Sequence, residues 1–346
     1  MTRSGILAVL VLTLAVLAAA AKPAGAFEIA VQDDRTLLAR TSYSRERALD
    51  QARAIGATAL RVNVIYADWV RLGTGPYDSL VDLARSKGFR LQFTLMGTPR
   101  YFDARAPRWL GHKYPSPIRF ASWAGEVARH FKGRVRRYSI WNEPNLIYYI
   151  EPQHKAPSIY ANLYKAGYRT IKGIDPGAQV LFGELFSGNV KLPGGMGPMN
   201  FLWAATRSGA RADGLAYHPF QYNLAPDRHS KRYVGIADTA TIKANLRDLA
   251  RARRLRTPAG GPLPVYFTEF GYQLLGSYAV RPEARRASWT VAAFRMAKSS
   301  GARSMLYYHL VRTNVRKWDS GLITTGGTPL LTYRALLKAR RALVGR

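Results

Sequence analysis

Eight short apolar runs, each followed by a stretch of helical period, organise this chain from Phe27 to its end. The runs start near Phe27 (Phe-Glu-Ile-Ala-Val), Ala59, Arg90, Val135, Ala178, Gly214, Pro264 and Arg303. Between them apolar residues recur on single helical faces: Ala48, Leu49, Ala52 and Ile55; Phe120, Ala124, Val127 and Phe131; Ile242, Leu246 and Leu249. Gly56, Gly88, Gly133 and Gly301 stand where helices should close. Strands alternating with helices pair in parallel, because each helical crossover returns the chain to the same end of the sheet. Eight such units predict an α/β fold of the (β/α)8 TIM-barrel type, with residues 27–346 as a single domain. A dinucleotide-binding sheet is disfavoured, since Val31-Gln32-Asp33-Asp34-Arg35 stands where a glycine-rich turn would follow the first strand.

The N-terminus reads differently. Arg3 precedes an apolar run from Gly5 to Ala21, and Ala24-Gly25-Ala26 is a small-x-small cleavage signal. Residues 1–26 are therefore expected to be a secretory signal peptide, with Phe27 the mature N-terminus and no stable membrane insertion after cleavage. The alternative is an uncleaved anchor, for which the run is short. The chain has no cysteine, so an exported product would rely on its core rather than on disulfides. Removing Arg3 and Lys22 lowers the formal charge of +31 only to about +29. Such a field attracts polyanions. Basic clusters at Arg134 to Arg137 and Arg251 to Arg256 are either part of that attraction or solvated helix faces. No nucleic-acid-binding motif is present, which leaves an anionic polysaccharide or cell wall as the better partner for a secreted, extracellular protein.

Chemistry in such a barrel sits at the C-terminal ends of the strands. Only 21 of 346 residues are acidic, yet Asp33 and Asp34 follow the first strand, Glu143 the fourth, Glu184 the fifth and Glu269 the seventh. Glu143 and Glu269 would face each other across the mouth. Two facing carboxylates are what glycoside hydrolysis requires, one to protonate the leaving oxygen and one to face the anomeric carbon. No Gly-x-Ser-x-Gly elbow and no His-Glu-x-x-His spacing appear, so a serine hydrolase and a metal site are not expected, and no cofactor is implied.

At Trp141-Asn142-Glu143-Pro144-Asn145 the sequence resembles the acid/base motif of clan A glycoside hydrolases, nearest in flavour to families 5 and 39. Thr268-Glu269-Phe270-Gly271-Tyr272 resembles their nucleophile strand, and Gly97-Thr98-Pro99-Arg100-Tyr101 the turn after strand three. The segments Arg129 to Gly133, Tyr168 to Pro176, Val180 to Glu184, and Gly321-Leu322-Ile323 with Gly327-Thr328-Pro329 extend the likeness through most of the chain. The resemblance implies a retaining glycosidase cleaving O-glycosidic, β-linked substrates, with Glu143 as acid/base and Glu269 as nucleophile. It further implies that Arg61 supports the nucleophile and Asn142 binds the sugar 2-hydroxyl. The family often has His-x-Tyr at the end of strand six, its tyrosine bonding the nucleophile. Here Tyr217-His218-Pro219-Phe220 puts phenylalanine there, so either Tyr222 or Tyr272 substitutes or the nucleophile is tuned differently. Trp318 is expected to be the aromatic platform under the sugar, with Tyr148, Tyr149 and Tyr101 lining the cleft.

Each of these residues also has a structural explanation. Glu269, Glu184 or Arg61 can belong to buried ion pairs, His218 and Trp318 to the core, and Asp33 and Asp34 to solvated loops. Taken together they predict a monomeric enzyme acting within a polysaccharide or glycan. A transglycosylase would use the same residues. The rival from another class is a noncatalytic carbohydrate- or wall-binding protein on a retired barrel.

Overall fold

The computed structural model describes residues 26–98, 112–313 and 318–344. The expected signal segment up to Gly25, and Pro99, Arg100 and Tyr101, lie outside these residues. Eight parallel strands form a closed barrel: β1 Glu28–Gln32, β2 Ala57–Ile65, β3 Arg90–Met96, β4 Arg137–Ile140, β5 Gln179–Phe186, β6 Gly214–His218, β7 Val265–Phe267 and β8 Ser304–Tyr308. The ring closes where β8 pairs with β1, from Glu28 beside Ser304 to Gln32 beside Tyr308. Every strand begins within two residues of its expected start. Ala210–Arg211 and Leu255–Arg256, which lead towards β6 and β7, form a small parallel pair outside the barrel that no sequence pattern announced.

The expected apolar helix faces are all buried, and the four glycines that close helices all have left-handed φ. These faces and the outward residues of the strands make the main core between barrel and helices. Alternation along each strand sends the other set inward. At the floor of the barrel Glu28 pairs with Arg90 (2.7 Å) and Arg137 (2.6 Å). Above it sit the small apolar groups Ala30, Ala59 and Leu306, and Leu181, Ala216 and Tyr266. The upper layer is polar and buried: Gln32, Arg61, Gln92, Thr94, Ser139, Glu184, His218 and Thr268. A polar layer at that depth holds only if its groups satisfy one another. No helix among the described residues is long and apolar enough to cross a membrane.

Candidate active site

Strand β4 ends at Ile140 and the chain turns at once, with left-handed φ at Trp141 (69°) and Glu143 (40°). Such angles cost energy for residues with a side chain, and persist where surrounding bonds fix them. The Trp141 amide donates to the Leu95 carbonyl (2.7 Å), and its indole Nε1 donates to the Tyr149 carbonyl (2.7 Å). Asn145 stitches the turn to the end of β5. It accepts from the Phe186 amide (3.0 Å) and donates to the carbonyls of Phe186 (3.0 Å) and Met196 (3.1 Å). The Glu143 amide donates to the Glu184 carbonyl (2.9 Å). The Trp-Asn-Glu-Pro-Asn motif is thus a braced turn that presents one carboxylate.

Its brace on β5 is a bulge. Pairing with β6 jumps from Gly183–Ala216 to Leu185–Tyr217, so Glu184 is the extra residue. Gly183 has φ 116°, and a Cβ there would lie 2.6 Å from the Ala216 carbonyl, so only glycine fits. The bulge turns Glu184 into the barrel. There one oxygen accepts from Gln92 (2.9 Å) and Ser139 (2.5 Å), and the other from Thr268 (2.5 Å) and His218 (2.8 Å). Arg61 lies 3.3 Å from that second oxygen.

Arg61 and His218 join this buried carboxylate to the two that face the mouth. Arg61 donates to Glu269 (2.8 Å), to Asn142 (2.7 Å), to Thr94 (2.9 Å) and to Gln32. His218 Nδ1 bonds Glu143 (2.9 Å), while Nε2 bonds Glu184 and lies 4.0 Å from Glu269. Glu143 and Glu269 each keep 13% of their side-chain surface exposed, and Glu184 keeps none. The first two can therefore meet a ligand and the third cannot.

The charges follow from this packing. Burial alone would push the Glu184 carboxyl up, but Arg61, His218 and the Ser139 hydroxyl outweigh it and hold it at about 2. Burial alone would push His218 down. Glu269 and the bonds to Glu143 and Glu184 prevail and raise it to about 9, so it is an imidazolium at neutral pH, donating from both nitrogens. Burial pushes Glu269 up from its ordinary value against the pull of His218 and Arg61, with Glu143 and Glu184 adding to the rise. Arg61, despite its burial, is driven up by Glu184, Glu269 and Asp34 and stays charged.

The aromatic residues divide. Phe220 is buried, stacked on Phe270 and set edge-on to Trp318. Tyr222 sits beside Tyr233, Tyr278 and Trp318. Burial and then Glu143 raise its phenol strongly, Glu269 adding less, so it borders both carboxylates. Trp318 is half-buried and donates from Nε1 to Ser320 (3.2 Å). Tyr272 departs from expectation: it is buried and donates to the Leu224 carbonyl (3.0 Å), which ties down the loop after β6 instead of Glu269. Tyr148 points to solvent, 73% exposed, whereas Tyr149 lies beside Glu143 and Glu269 with a bond to Asn142.

Tyr308, the last residue of β8, is a site neighbour not singled out from sequence. After burial, Glu269 is the largest influence raising its phenol. Its place at a strand's C-terminal end was the available signal. Asp33 caps the first helical turn and accepts from the Val311 amide (2.8 Å), tying β1 to the loop after β8. Asp34 accepts from Asn63 (2.9 Å) and Gln32 (3.1 Å).

No protein-family model matches the sequence, and no curated protein matches it. Solved structures do. A family 39 glycoside hydrolase from Bacteroides cellulosilyticus superposes with a TM-score of 0.72 at 17% identity, over 92% of this chain and 64% of its own. A GH39 β-xylosidase from Caulobacter crescentus gives 0.64 at 21% identity, over 92% and 72%. An exo-β-1,4-mannosidase from an Opitutaceae bacterium gives 0.59 at 18% identity, over 93% and 60%. The chain thus spans just under two thirds of the length of the first of these proteins, and the likeness is one of fold.

Proposed function

We propose that this chain is an exported glycoside hydrolase that cleaves O-glycosidic bonds in a polysaccharide or glycan with net retention. The observation that carries this is the pair of partly exposed carboxylates at the ends of β4 and β7, held to one imidazolium and one guanidinium. Glu143 bonds His218, and Glu269 bonds Arg61 with His218 4.0 Å away. The glycoside hydrolases that share the fold support the same reaction class.

The steps follow from these positions. Glu269 attacks the anomeric carbon while Glu143 gives its proton to the departing oxygen, leaving a glycosyl ester on Glu269. Water then returns a proton to Glu143 as its oxygen bonds the anomeric carbon and the ester breaks. Arg61 holds one Glu269 oxygen in place and stabilises it as a leaving carboxylate in the second step. Asn142, fixed through its carbonyl by Arg61 and bonded to Tyr149, keeps one amide N–H for a sugar hydroxyl. Tyr222 and Tyr149 lie beside the carboxylates and Trp318 packs edge-on to Tyr222, which offers faces for a sugar ring at the mouth.

The test is a panel of neutral and anionic polysaccharides and aryl β-glycosides, with the wild type, Glu143→Gln and Glu269→Gln. Hydrolysis by the wild type with loss in both variants is expected. Full activity in either variant would overturn the assignment, and no hydrolysis of any glycan would favour a binding protein. Proton NMR of the first product should show the anomer of the substrate; the opposite anomer would contradict retention.

A further inference from the structure

The basic run Arg251 to Arg256 has no part in the mouth. Arg251 pairs with Asp248 (3.2 Å), and Arg254 lies over the Trp203 ring and bonds the Trp203 carbonyl. Arg253 and Arg256 instead line a cavity of about 450 Å³ on the barrel's flank, together with Lys165, Arg169 and Arg211. Four segments make it: the middle of the helix Ala156–Ile174, Phe182 of β5, the stretch leading towards β6, and the stretch leading towards β7. The last two precede their strands, so the cavity lies toward the N-terminal ends of the strands. The carboxylate pair lies at the opposite ends.

Among the described residues, five cations and no carboxylate line this cavity. Among the described residues the side chains of Lys165, Arg169, Arg253 and Arg256 make no hydrogen bond or ion pair, and Arg211 gives one N–H to the Thr257 carbonyl (2.8 Å). The nearby Asp213 is engaged by Lys172 (3.1 Å) and by the Val180 amide (2.8 Å). Tyr164, Tyr168 and Phe182 supply the apolar wall, with the two tyrosine rings 5.7 Å apart and inclined by 31°. Like charges gathered in a concave, partly apolar site repel one another and focus a positive potential outward. Guanidinium forks match planar oxyanions, and aromatic faces suit the C–H side of sugar rings.

We propose that this flank cavity is a second, noncatalytic site that binds an oxyanion-bearing glycan, holding a polymer by one end of the barrel while the mouth stays free. The site stands on its own lining residues and does not depend on the reaction assigned to Glu143 and Glu269.

The experiment measures binding of the full chain to polygalacturonate, dextran sulfate and neutral dextran by affinity electrophoresis, with single-stranded DNA as competitor. Two variants of equal charge loss are compared. One is Arg169→Gln/Arg253→Gln/Arg256→Gln in the cavity. The other is Arg295→Gln/Arg334→Gln/Arg341→Gln on exposed helix surfaces elsewhere. All six arginines are half-buried or exposed, so both variants should fold, and circular dichroism checks this. Binding to an anionic glycan but not to dextran is expected, weakened at least about tenfold in the cavity variant and less than about threefold in the control. Loss on polygalacturonate assigns carboxylate, and loss on dextran sulfate alone assigns sulfate. Equal weakening in both variants, no binding to either anionic glycan, or displacement by DNA at lower concentration than by glycan would overturn the proposal. Glu143→Gln/Glu269→Gln should bind as the wild type does, which separates this test from the one on hydrolysis.

Discussion

The barrel mouth and the cationic flank treat charge in opposite ways. In the mouth Arg61, His218 and Glu184 are withdrawn from water and Glu269 nearly so, and each has its counter-charges supplied by the chain. On the flank Lys165, Arg169, Arg253 and Arg256 keep their contact with solvent and find no counter-charge among the described residues. Desolvation explains the difference. A buried charge without a partner costs several kcal/mol, so a fold that buries charges must compensate them internally. A solvated charge costs little to leave open, and so remains available to a ligand.

The largest effect that would break this contrast lies in the mouth. Glu269→Gln and Glu143→Gln should each lower kcat/KM on a good substrate at least about a thousandfold, roughly 4 kcal/mol of lost barrier reduction. Steady-state kinetics that show a loss under about tenfold would remove them from the chemistry. Next comes stability. Glu184→Ala leaves Arg61 and His218 facing each other without their shared carboxylate, and should cost about 3–5 kcal/mol. Glu184→Gln keeps an acceptor and should cost less. Denaturant unfolding measures both, and a cost under about 1 kcal/mol for the alanine variant would mean that the buried carboxylate does not hold the cluster together.

The pH dependence sharpens the same point. His218 has its folded value raised from 6.5 to about 9, so its stabilising contribution is complete below about 6.5 and is lost as pH rises through 9. Glu184 has its value lowered from 4.5 to about 2, so its contribution is complete above about 4.5 and is lost as pH falls toward 2. Both are fully present only between about pH 4.5 and 6.5. The Tm should decline from pH 6.5 to 9 in the wild type, and His218→Gln should flatten that limb. A wild-type limb already flat would show that the imidazole is not bound as a cation. The smallest effect belongs to the flank, where Arg169→Gln/Arg253→Gln/Arg256→Gln should shift unfolding free energy by no more than about 0.5 kcal/mol per site. A larger loss would mean that these arginines are structural.

Much of the architecture was legible in the chain itself. A strand's side chains alternate and a helix's recur every third or fourth residue, so the apolar pattern located all eight strands and the buried faces of three helices. Glu143 stood out because the motif residues around it, Trp141 and Asn145, are also the local bracing of its turn, and Glu269 because it follows closely on a strand. Gly183-Glu184 was a weaker signal. A glycine inside a strand pattern suggests a bulge, but not that the next residue will gather six side chains.

What the sequence determined by itself was local: the period of each element, the glycines that end helices, and the carboxylates at strand ends. The tertiary structure alone decided how side chains from different strands meet. It set Tyr272 on Leu224, put His218 between Glu143 and Glu184, and brought Lys165, Arg169 and the Arg253–Arg256 stretch to one cavity. Periodicity is a property of neighbours along the chain. Charge compensation depends on distance in space, and barrel closure is what sets those distances.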